Sequence, residues 1–576
     1  MVFSPPSWVP QLPMDPPDSI SIPEFMSNDE YGRYPLAKAR APFVCGLTGK
    51  SYSAAEVVER EKCLAKAIRK RLGFTDEGSE WDRVVALFSL NTIEYIPLTH
   101  AIHRLSGVVS LVNTSASAAE LEQQLRSSGS VALFTCVPLL QVALKAAKGA
   151  GIPNKRIFIL PMNGDERSNQ FTTIHELLEE GKSLPDLQPV QWSKGQGGRQ
   201  VAYLCFSSGT SGLPKAVMVS HRNVIANILQ LTAFESFYRQ QHGIESQVLL
   251  GLLPFGHAYG LVIMAHVAPY RGDEVVVLPN FQLNTFLAAI QRFKIEQLNI
   301  VPPILVQMVN NHRKCNKFVL SSVRFVYTGG APLGTETIEK LSSLYPHWHL
   351  GQVYGMTETA VVITSTSESD ILHGSSGSLL PSIRAKIIDF DGKEVTTPET
   401  PGELLVQGPS VTLGYLNNEK ANAETFIWDD GGRWIRTGDE AIVRRSPNGY
   451  EHFVIIDRIK ELIKVKGMQV APAELEAHLL THPCVSDCAV IQTHHERSGE
   501  VPKAFVVRTK ESTLKTEAET ARLICEHVQK HKAKYKWLTG GVEFMDVIPK
   551  NPTGKILRRQ LREKERLRRK SNNARL

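Results

Sequence analysis

Apolar and polar positions alternate in two different rhythms between residues 53 and 200. The apolar runs 84–88 and 131–134 have the length and composition of buried strands, whereas 53–71 and 118–125 carry apolar residues at helical spacing. Alternation of this kind is typical of βαβ units. The pattern therefore predicts a parallel sheet covered by helices.

The same rhythm continues beyond residue 212, and then it changes. A strand-like run at 275–278, a helix-like segment at 283–293 and a second strand-like run at 323–327 predict a second α/β layer. After residue 380 the pattern becomes one of short alternating strands and turns, at 385–388, 402–407 and 449–456. These strands predict a small β-rich subdomain.

The two ends of the chain differ from this middle part. The first forty residues are rich in proline and predict an extended arm along the surface. A charged stretch at 457–461 opens a final segment that is distinctly more charged than the rest. We therefore predict two domains, 1–457 and 458–576.

Composition narrows the class of protein. The chain has 576 residues, 42% of them hydrophobic and 21% charged, which is enough for a large core and more than one domain. No apolar run approaches the roughly 20 residues of a membrane-spanning helix, and the first residues lack the pattern of a secretory signal. Eight cysteines without any C-x-x-C pair indicate reduced thiols rather than a zinc site. We expect a protein that stays inside the cell.

The net charge of +7 invites comparison with nucleic-acid-binding proteins. Residues 555–576 alone carry ten Lys and Arg against two Glu, so the remainder is near neutral. A non-enzymatic protein that binds RNA through 555–570 is one alternative. That segment lacks interleaved aromatic residues for base stacking, which argues against nucleic acid as a partner.

The strongest chemical signal is a loop of small hydroxyl residues and glycines that ends in Pro214-Lys215. Backbone N–H and side-chain O–H groups of such a loop converge on an anion, and the lysine adds a positive charge. The loop lacks the adjacent G-K-[ST] of the ordinary P-loop, and strand-like segments on both sides predict a hairpin tip, with Ser220 capping the next helix. A flexible surface turn is the alternative to a triphosphate cradle formed by Ser207, Ser208, Gly209, Thr210, Ser211, Gly212 and Lys215.

Five further motifs follow in a fixed order. They are Gly329-Gly330-Ala331-Pro332-Leu333, Gln352-Val353-Tyr354-Gly355-Met356-Thr357-Glu358, Thr437-Gly438-Asp439, the run 458–470 and Pro549-Lys550-Asn551-Pro552-Thr553-Gly554-Lys555. Together with the loop they resemble the adenylate-forming superfamily, which contains acyl-CoA synthetases and 4-coumarate-CoA ligases. The arm and the motif spacing look closest to fungal peroxisomal ligases of the phenylacetyl-CoA type. The resemblance implies a large α/β N-terminal domain and a mobile, smaller α+β C-terminal domain.

The resemblance also assigns roles. Lys555 is implied to bridge the substrate carboxylate and the α-phosphate, Thr357 to contact the α-phosphate and Glu358 to hold Mg²⁺. Asp439 and Arg458 are implied to contact the ribose, and Tyr354 to stack on adenine. The other implied ATP or AMP contacts are Gly330, Ala331, Pro332, Gln352, Val353, Gly355, Met356 and Lys464. Taken alone, Glu358 is a helix-start carboxylate, Tyr354 a core residue, Thr-Gly-Asp a turn and Lys555 a solvated charge.

The run 458–470 resembles the hinge about which the small domain swings after adenylation, with Lys460 at the pivot. Lys466, Gly467 and Gln469 are implied to serve the coenzyme A stage. Charge, β-branched residues and a glycine also suit an ordinary amphipathic edge strand, which is the alternative.

The acid pocket is implied by the apolar stretch 252–264. His257, which the resemblance also counts as catalytic, gates the acid and thiol tunnels in relatives, and Tyr259, Ile263, Val353 and Val361 line the pocket. The stretch contains no Asp or Glu to pair with an ammonium, so an amino-acid substrate is disfavoured. Val353 stands where relatives usually have Gly and narrows the pocket, whereas Gly256 is expected to open another part.

The sequence therefore predicts an ATP-dependent, AMP-forming acid-CoA ligase that uses ATP, Mg²⁺ and coenzyme A. The expected substrate is an aryl, arylacetic or medium-chain acid, in degradation or in secondary metabolism. An adenylating enzyme that loads a carrier protein is the alternative. The ending Ala574-Arg575-Leu576 fits a relaxed peroxisomal signal and an import receptor as partner, with the cytoplasm as the other location.

Overall fold

The computed structural model describes residues 1–162, 170–207, 214–389, 391–466, 468–495, 498–514, 516–551 and 554–573. The strands up to residue 220 are β1 (Phe43–Cys45), β2 (Ser51–Tyr52), β3 (Val84–Phe88), β4 (Val108–Leu111), β5 (Ala132–Thr135), β6 (Ile157–Ile159), β7 (Thr172–Thr173), β8 (Val201–Ser207) and β9 (Lys215–Ser220). Those up to residue 388 are β10 (Val248–Gly251), β11 (Glu274–Val277), β12 (Gln297–Ile300), β13 (Phe325–Thr328), β14 (His349–Met356), β15 (Val361–Ser365), β16 (Ser378–Leu379) and β17 (Arg384–Ile388). The remaining strands are β18 (Gly402–Gln407), β19 (Gly414–Tyr415), β20 (Phe426–Asp429), β21 (Gly432–Arg445), β22 (Glu451–Arg458), β23 (Ile463–Val465), β24 (Met468–Val470), β25 (Val485–His495), β26 (Gly499–Arg508) and β27 (Val542–Phe544).

The helices connect these strands as the alternating pattern predicts. Those before residue 245 are α1 (Ile22–Ser27), α2 (Ala54–Leu72), α3 (Tyr95–His103), α4 (Ala118–Ser128), α5 (Leu140–Ala150), α6 (Ile174–Lys182), α7 (Gln196–Arg199) and α8 (His221–Gln241). The later ones are α9 (Ala268–Tyr270), α10 (Leu283–Phe293), α11 (Pro302–Asn310), α12 (His312–Cys315), α13 (Thr335–Leu344), α14 (Glu419–Thr425), α15 (Pro472–Leu479), α16 (Glu517–His531) and α17 (Arg558–Asn573). Within the described ranges, every helix is too short or too polar to span a bilayer.

Two mixed sheets form the large domain. One has the order β16-β15-β14-β13-β12-β10-β11-β1-β2, and the other has the order β19-β9-β8-β4-β3-β5-β6-β7. Their central neighbours are parallel, and antiparallel strands complete the edges. Parallel strands are buried on both faces, which explains their continuous apolar runs. The predicted α/β class with a β-rich subdomain and a smaller C-terminal domain is confirmed.

Helices α3 and α8 belong to the main hydrophobic core, which is shared by residues of both large sheets. Every residue of α3 is buried, and most of α8 is buried along its whole length. A helix with apolar or neutral residues on all sides is suited to such an interior position. Ser220 caps α8 through a reciprocal pair with Asn223, as predicted from the sequence.

The N-terminal arm crosses the large domain as an irregular segment interrupted by α1. The Phe3 amide donates to the Ala385 carbonyl at 2.7 Å, and Trp8 packs on Phe234 with 5.1 Å between ring centroids. The Ile22 amide donates to Nδ1 of the buried His221 at 3.0 Å. The arm therefore connects the β-rich subdomain to the core around α8.

The β-rich subdomain is an antiparallel sheet of order β17-β18-β21-β20, with β22 paired to β21. Strand β22 ends at Arg458, and the chain then turns into β23, which belongs to another sheet. That sheet has the order β24-β23-β26-β25, with β27 on β26. Its core is closed by α15 and α16 through Leu475, Leu479, Ile524 and Val528.

The basic C-terminal segment is a helix, α17, that packs against the small domain. Arg558 is buried and forms ion pairs with Glu461 at 2.8 Å and Glu476 at 2.7 Å. Further along, Lys564 pairs with Glu543 at 3.0 Å. Several charges counted as a tail in the sequence are thus engaged in the fold.

Candidate active site

The nucleotide-loop hairpin is formed as predicted. Strands β8 and β9 are antiparallel, and the Ser207–Lys215 pair closes the hairpin at its tip. The sequence-predicted cradle residues Ser208, Gly209, Thr210, Ser211 and Gly212 lie outside the described residues. The Lys215 ammonium lies 4.6 Å from the ring centroid of Tyr415.

Tyr415 connects this lysine to Glu358. Its hydroxyl donates to Glu358 Oε1 at 2.9 Å, and the Thr412 amide and hydroxyl both donate to the Glu358 carbonyl at 3.0 Å. Glu358 is buried, whereas its neighbour Thr357, at the start of the short 3₁₀ turn Thr357–Thr359, is half-buried. The arrangement fixes one carboxylate beside the loop that ends in Lys215.

The motifs at 329–333 and 352–358 meet at the ends of the adjacent parallel strands β13 and β14. Gln352 Oε1 accepts a hydrogen bond from the Leu333 amide at 2.9 Å. Between these residues Gly330 adopts a left-handed conformation with φ of 81°, and residues Gly330 and Pro332 are exposed while Ala331 is half-exposed. Parallel strands deliver their connecting loops to a common edge, so the chain order explains this proximity.

Backbone strain is concentrated after Glu358. Ala360 and Val361 have φ of 48° and 108°, and the second value is an outlier for a β-branched residue. A Cβ on Gly355 would lie 1.5 Å from the Val361 carbonyl oxygen, so only glycine fits there. The register shift between β14 and β15 at Tyr354/Gly355 accompanies this close approach, and Met356 beside it is half-buried.

Tyr354, Asp439 and Arg458 form a polar group between the sheets, in which Asp439 is buried and the other two side chains are half-buried. The Tyr354 hydroxyl donates to Asp439 Oδ2 at 2.7 Å, and Arg458 Nε lies 3.6 Å from Asp439 Oδ1. Asp439 and Arg458 are also directly paired across β21 and β22. Burial raises the pKa of the Asp439 carboxyl, and the Arg458 guanidinium opposes that shift.

Lys555 reaches the same cleft from the small domain. Its amide donates to Asn551 Oδ1 at 2.8 Å, and Asn551 N donates back to the Lys555 carbonyl at 2.9 Å, which closes a tight turn. Gly554 has φ of 78°, and a Cβ at this position would lie 2.9 Å from Cγ of Pro303 on α11. The turn therefore rests on the large domain.

Lys555 interacts electrostatically with this polar group. Burial and the Arg458 guanidinium lower the pKa of Lys555 to about 8, while Glu461, Asp439 and Glu358 act in the opposite direction. The Lys555 ammonium also acts on His257, whose pKa is lowered to about 4, chiefly by burial and then by Lys555. His257 is therefore a neutral imidazole near pH 7, and its Nδ1 accepts the Tyr259 amide at 3.2 Å.

Tyr259, Val353 and Gly329 lie together at the predicted acid pocket. A Cβ on Gly329 would lie 2.5 Å from Val353 Cγ1 and 3.3 Å from Tyr259 Cε1. The Tyr259 hydroxyl donates to the Tyr327 carbonyl at 3.3 Å. Tyr259 and Ile263 are buried, and Ile263 lies in a π-helical turn, Gly260–Val267. π-Turns of this kind often occur at functional sites.

The expected opening at Gly256 is not present. A Cβ on Gly256 would lie 3.2 Å from the Tyr95 hydroxyl and 3.3 Å from the Val112 carbonyl oxygen. Tyr95 is fully buried, and its hydroxyl lies close to where a side chain at position 256 would begin. Glycine at this position accommodates Tyr95 rather than enlarging the pocket.

The predicted hinge and coenzyme A residues are separate from this group. Lys460 is exposed in the turn after β22, Lys464 and Gln469 face each other across the β23–β24 hairpin, and Lys466 is exposed with φ of 50°. In the part of the chain that the structure describes, no hydrogen bond or ion pair joins these side chains to the cleft. Gly467 lies outside the described residues.

Sequence reasoning missed the residues that support the site. Tyr415 holds Glu358, and Arg558 holds Glu461 and Glu476 close to the lysine turn. Arg558 follows Lys555 by three residues, so a search for a buried basic residue at the start of the last helix would have found it. No local signal marks Tyr415.

Comparison with known proteins identifies the family to which the chain belongs. Residues 35–416 match the AMP-binding enzyme family, and residues 474–555 match its C-terminal domain. The chain therefore belongs to the AMP-binding enzyme family, as the order of its motifs predicts.

Individual relatives narrow the class within that family. The chain is 43% identical over 570 residues to the acyl-CoA ligase AKT1 of Alternaria alternata, covering 98% of this chain and 97% of the relative. It is 39% identical over 569 residues to the acyl-CoA ligase easD of Emericella nidulans, covering 98% of this chain and 100% of the relative. Its whole-length similarity is thus to fungal acyl-CoA ligases.

Solved structures agree with the fold. ATP-bound MatB from Rhodopseudomonas palustris superposes with a TM-score of 0.76 at 26% identity, covering 95% of this chain and 99% of MatB. The anthranilate CoA ligase AuaEII in complex with anthranoyl-AMP superposes with a TM-score of 0.78 at 22% identity, covering 96% of this chain and 98% of AuaEII. The second likeness shows the fold alone.

Proposed function

We propose that the protein is an ATP-dependent acid-CoA ligase that joins a carboxylic acid to AMP and then transfers the acyl group to coenzyme A. Its whole-length similarity to acyl-CoA ligases supports this activity. The single observation that carries the proposal is the convergence of Lys555 of the small domain with Glu358 and Asp439 of the large domain and with Arg458 at the boundary between the domains.

The chemistry of adenylation explains why such a convergence is needed. A carboxylate attacking the α-phosphate brings two anions together, so cations and oriented donors must be in place beforehand. Lys555 supplies the cation at the point of attack, and the Thr357 hydroxyl supplies a donor to the α-phosphate. Pyrophosphate leaves, and the acyl-adenylate remains in the cleft.

Nucleotide recognition would use the remaining polar groups. Asp439 accepts hydrogen bonds from the ribose hydroxyls, Arg458 neutralises the same region, and the Tyr354 ring stacks on adenine. The exposed turn Gly330-Ala331-Pro332 lies beside the adenine, and Lys215 and its loop hold the β- and γ-phosphates. Gln352 keeps the adenine-side turn in place through its bond to the Leu333 amide.

The residues present also fit Mg²⁺. Mg²⁺ is usually held by one or two carboxylates together with substrate phosphates, and Glu358 offers a buried carboxylate whose Oε1 is oriented by Tyr415. When bound, the ion would neutralise charge on the phosphates. Glu358 remains its only proposed protein ligand.

The thioester stage would require the small domain to move. We place the hinge at 458–460, with Lys460 as pivot between the domains 1–457 and 458–576. The swing removes Lys555 from the cleft and brings the hairpin with Lys464 toward it, where Lys464 contacts the nucleotide and Lys466, Gly467 and Gln469 serve coenzyme A. Neutral His257 stands between the acid and the entering thiol.

The acid is proposed to be aryl, arylacetic or medium-chain. The Val353 side chain packs closely on Gly329 and narrows one wall of the acid pocket. Apolar surface is added by Tyr259, Ile263 and Val361. The stretch 252–264 offers no carboxylate for an ammonium group, which argues against amino acids. A peroxisomal location through Ala574-Arg575-Leu576, which lie outside the described residues, and a role in secondary metabolism complete the proposal.

Pyrophosphate release with ATP and Mg²⁺ across aryl, arylacetic, medium-chain and long-chain acids, each with and without coenzyme A, tests this function. Turnover that depends on coenzyme A and yields a thioester supports the ligase and identifies the acid class. Pyrophosphate release without a thioester would instead indicate loading of a carrier protein. Absence of release with every acid would refute both.

A further inference from the structure

Three histidines of the small domain lie together outside the proposed active site. His478 is on α15, and His527 and His531 are one helical turn apart on α16. One ring nitrogen from each residue lies within 4.8 Å of the others. The rings of His478 and His527 are nearly parallel, with centroids 4.3 Å apart and 5° between their planes.

Hydrogen bonds orient each ring. Because a carbonyl oxygen only accepts, Nδ1 of His531 donates to the His527 carbonyl at 2.8 Å, and Nε2 of His478 donates to the same carbonyl at 3.4 Å. The Thr481 hydroxyl uses its only proton on the His478 carbonyl at 2.7 Å, so Nε2–H of His527 must donate to Thr481 Oγ1 at 2.9 Å. Each neutral ring therefore keeps one nitrogen with a free lone pair.

Such outer hydrogen bonds are typical of metal-binding histidines, because they fix the ring and its tautomer. A pair of histidines at i and i+4 on one helix is likewise a frequent chelate. Metals bind imidazole through a nitrogen that carries no proton, and these hydrogen bonds leave one such nitrogen on each of the three rings.

The charged residues around the three histidines include both signs, so a cation is not opposed by lysine alone. Lys532, which follows α16, acts electrostatically on His478, and its ammonium pairs with Glu474 at 3.1 Å. On the large-domain side, the carboxylate of Glu336 on α13 attracts positive charge near His478, whereas the Lys532 ammonium repels it. His478 also stands next to Ala477, whose Cβ would lie 2.8 Å from a Cβ on Gly334. The group therefore borders the contact between the two domains.

We propose that His478, His527 and His531 form a binding site for a borderline transition-metal ion of the Zn²⁺ type. Zn²⁺ accepts three imidazole nitrogens at about 2.0–2.1 Å and a water as fourth ligand, which separates the nitrogens by roughly 3.4 Å. Because the His478 and His527 rings lie in nearly parallel planes, one of them must rotate out of the stack, and the exposed His531 side chain must also rotate, before the three lone pairs meet at one ion.

The ion would join α15 to α16. Helix α15 also carries Glu476, which holds Arg558, and Arg558 lies three residues beyond Lys555. The metal therefore stabilises the helix on which the lysine turn is anchored. Its role is structural, so it is separable from the proposed ligase activity.

Metal binding to the full-length, untagged protein tests the proposal. After treatment with a chelator, Zn²⁺ is titrated calorimetrically and Co²⁺ is used as a spectroscopic probe, both without ATP. We expect one ion per chain, a d–d spectrum of tetrahedral Co²⁺, and a thermal midpoint that rises with Zn²⁺ concentration. The exposed His531→Gln and the His527→Gln variants should each weaken binding at least about tenfold.

Two further variants separate a built site from unspecific binding. His347→Gln removes an exposed histidine of the large domain and should bind Zn²⁺ like the wild type. Thr481→Val removes the hydroxyl that orients His527 and should weaken binding about tenfold without loss of a ligand. Equal binding by the wild type, His531→Gln and His527→Gln, or no ion bound in molar excess of Zn²⁺, would overturn the assignment.

Discussion

The Tyr354 hydroxyl donates to Oδ2 of Asp439 at 2.7 Å, and this hydrogen bond joins a strand of the large α/β sheet to a strand of the β-rich subdomain in the cleft. The bond satisfies one oxygen of a buried carboxylate and leaves the other near Arg458 at 3.6 Å. It fixes the carboxylate before any nucleotide arrives.

Tyr354→Phe should raise the KM for ATP about tenfold with a smaller change in kcat, because a hydrogen bond to a charged group contributes about 1.5–3 kcal/mol. The ring is retained, so stacking on adenine is unaffected. Steady-state kinetics at saturating acid measures the effect, with Tyr450→Phe as a control outside the cleft. An unchanged KM for ATP would show that Asp439 does not need this bond.

Lys555→Ala should nearly abolish adenylation, whereas thioester formation from preformed acyl-adenylate should persist. The reason is that the lysine acts on the carboxylate and the α-phosphate, which react only in the first step. Single-turnover assays of the two half-reactions measure the two rates. The matched control is Lys550→Ala, on the same loop as Lys555, which removes only the ion pair between Lys550 and Asp487. Equal loss of both half-reactions would contradict the role of Lys555.

The pH dependence of adenylation should have an alkaline limb near pH 8. The pKa of Lys555 is lowered to about 8 from its usual 10.5, so the ammonium is present below pH 8 and is lost as the pH rises through that value. Above it, kcat/KM for ATP should fall about tenfold per pH unit. Lys555→Arg lowers activity but keeps its charge, so its profile should lack the limb. A limb that persists in this variant would assign the titration to another group.

Val353→Ala should shift the acid preference toward larger acids. Val353 packs on the Gly329 side of the pocket, and removing two methyl groups there enlarges the wall. A methylene-sized change in an apolar pocket alters discrimination by roughly 10–200-fold, so the kcat/KM ratio of a longer to a shorter acid should rise at least about tenfold. Ile304→Val on α11, a buried aliphatic position, is a control for general loosening of the core. An unchanged ratio would place the acid elsewhere.

Arg558→Met should destabilise the small domain by about 3–5 kcal/mol, because Glu461 and Glu476 would be left buried without their cation. Burial already raises the pKa of Glu476, and Arg558 opposes that shift. Thermal unfolding measures the loss, and Arg559→Met on the exposed side of α17 should change stability little. Equal midpoints for the two variants would refute the importance of the buried pair.

The sequence predicts local structure well wherever periodicity and caps agree. The helix predicted at 53–71 is Ala54–Leu72, and Ser53 and Glu56 form a capping box at its start. The strand predicted at 84–88 is β3 without any shift. The hairpin around the nucleotide loop also follows from its apolar flanks.

Contacts between distant parts of the chain were not predictable in this way. Tyr415 reaches Glu358 across 57 positions, and Arg558 reaches Glu461 across 97. Gly256 was expected to open the pocket, but its role depends on Tyr95, which a single sequence does not link to it. Side-chain pairs of this kind are determined by tertiary packing, which has no local period.

The position of the N-terminal arm has a consequence for synthesis. Phe3 pairs with Ala385 and packs against Phe453 with 5.7 Å between ring centroids, and Phe453 lies on β22, the last strand of the large domain to leave the ribosome. At about 5–20 residues per second, the first residues wait for roughly 20–90 seconds before these partners exist. During that interval Phe3 and Trp8 are exposed apolar groups on a nascent chain, and their capture by a chaperone would compete with aggregation.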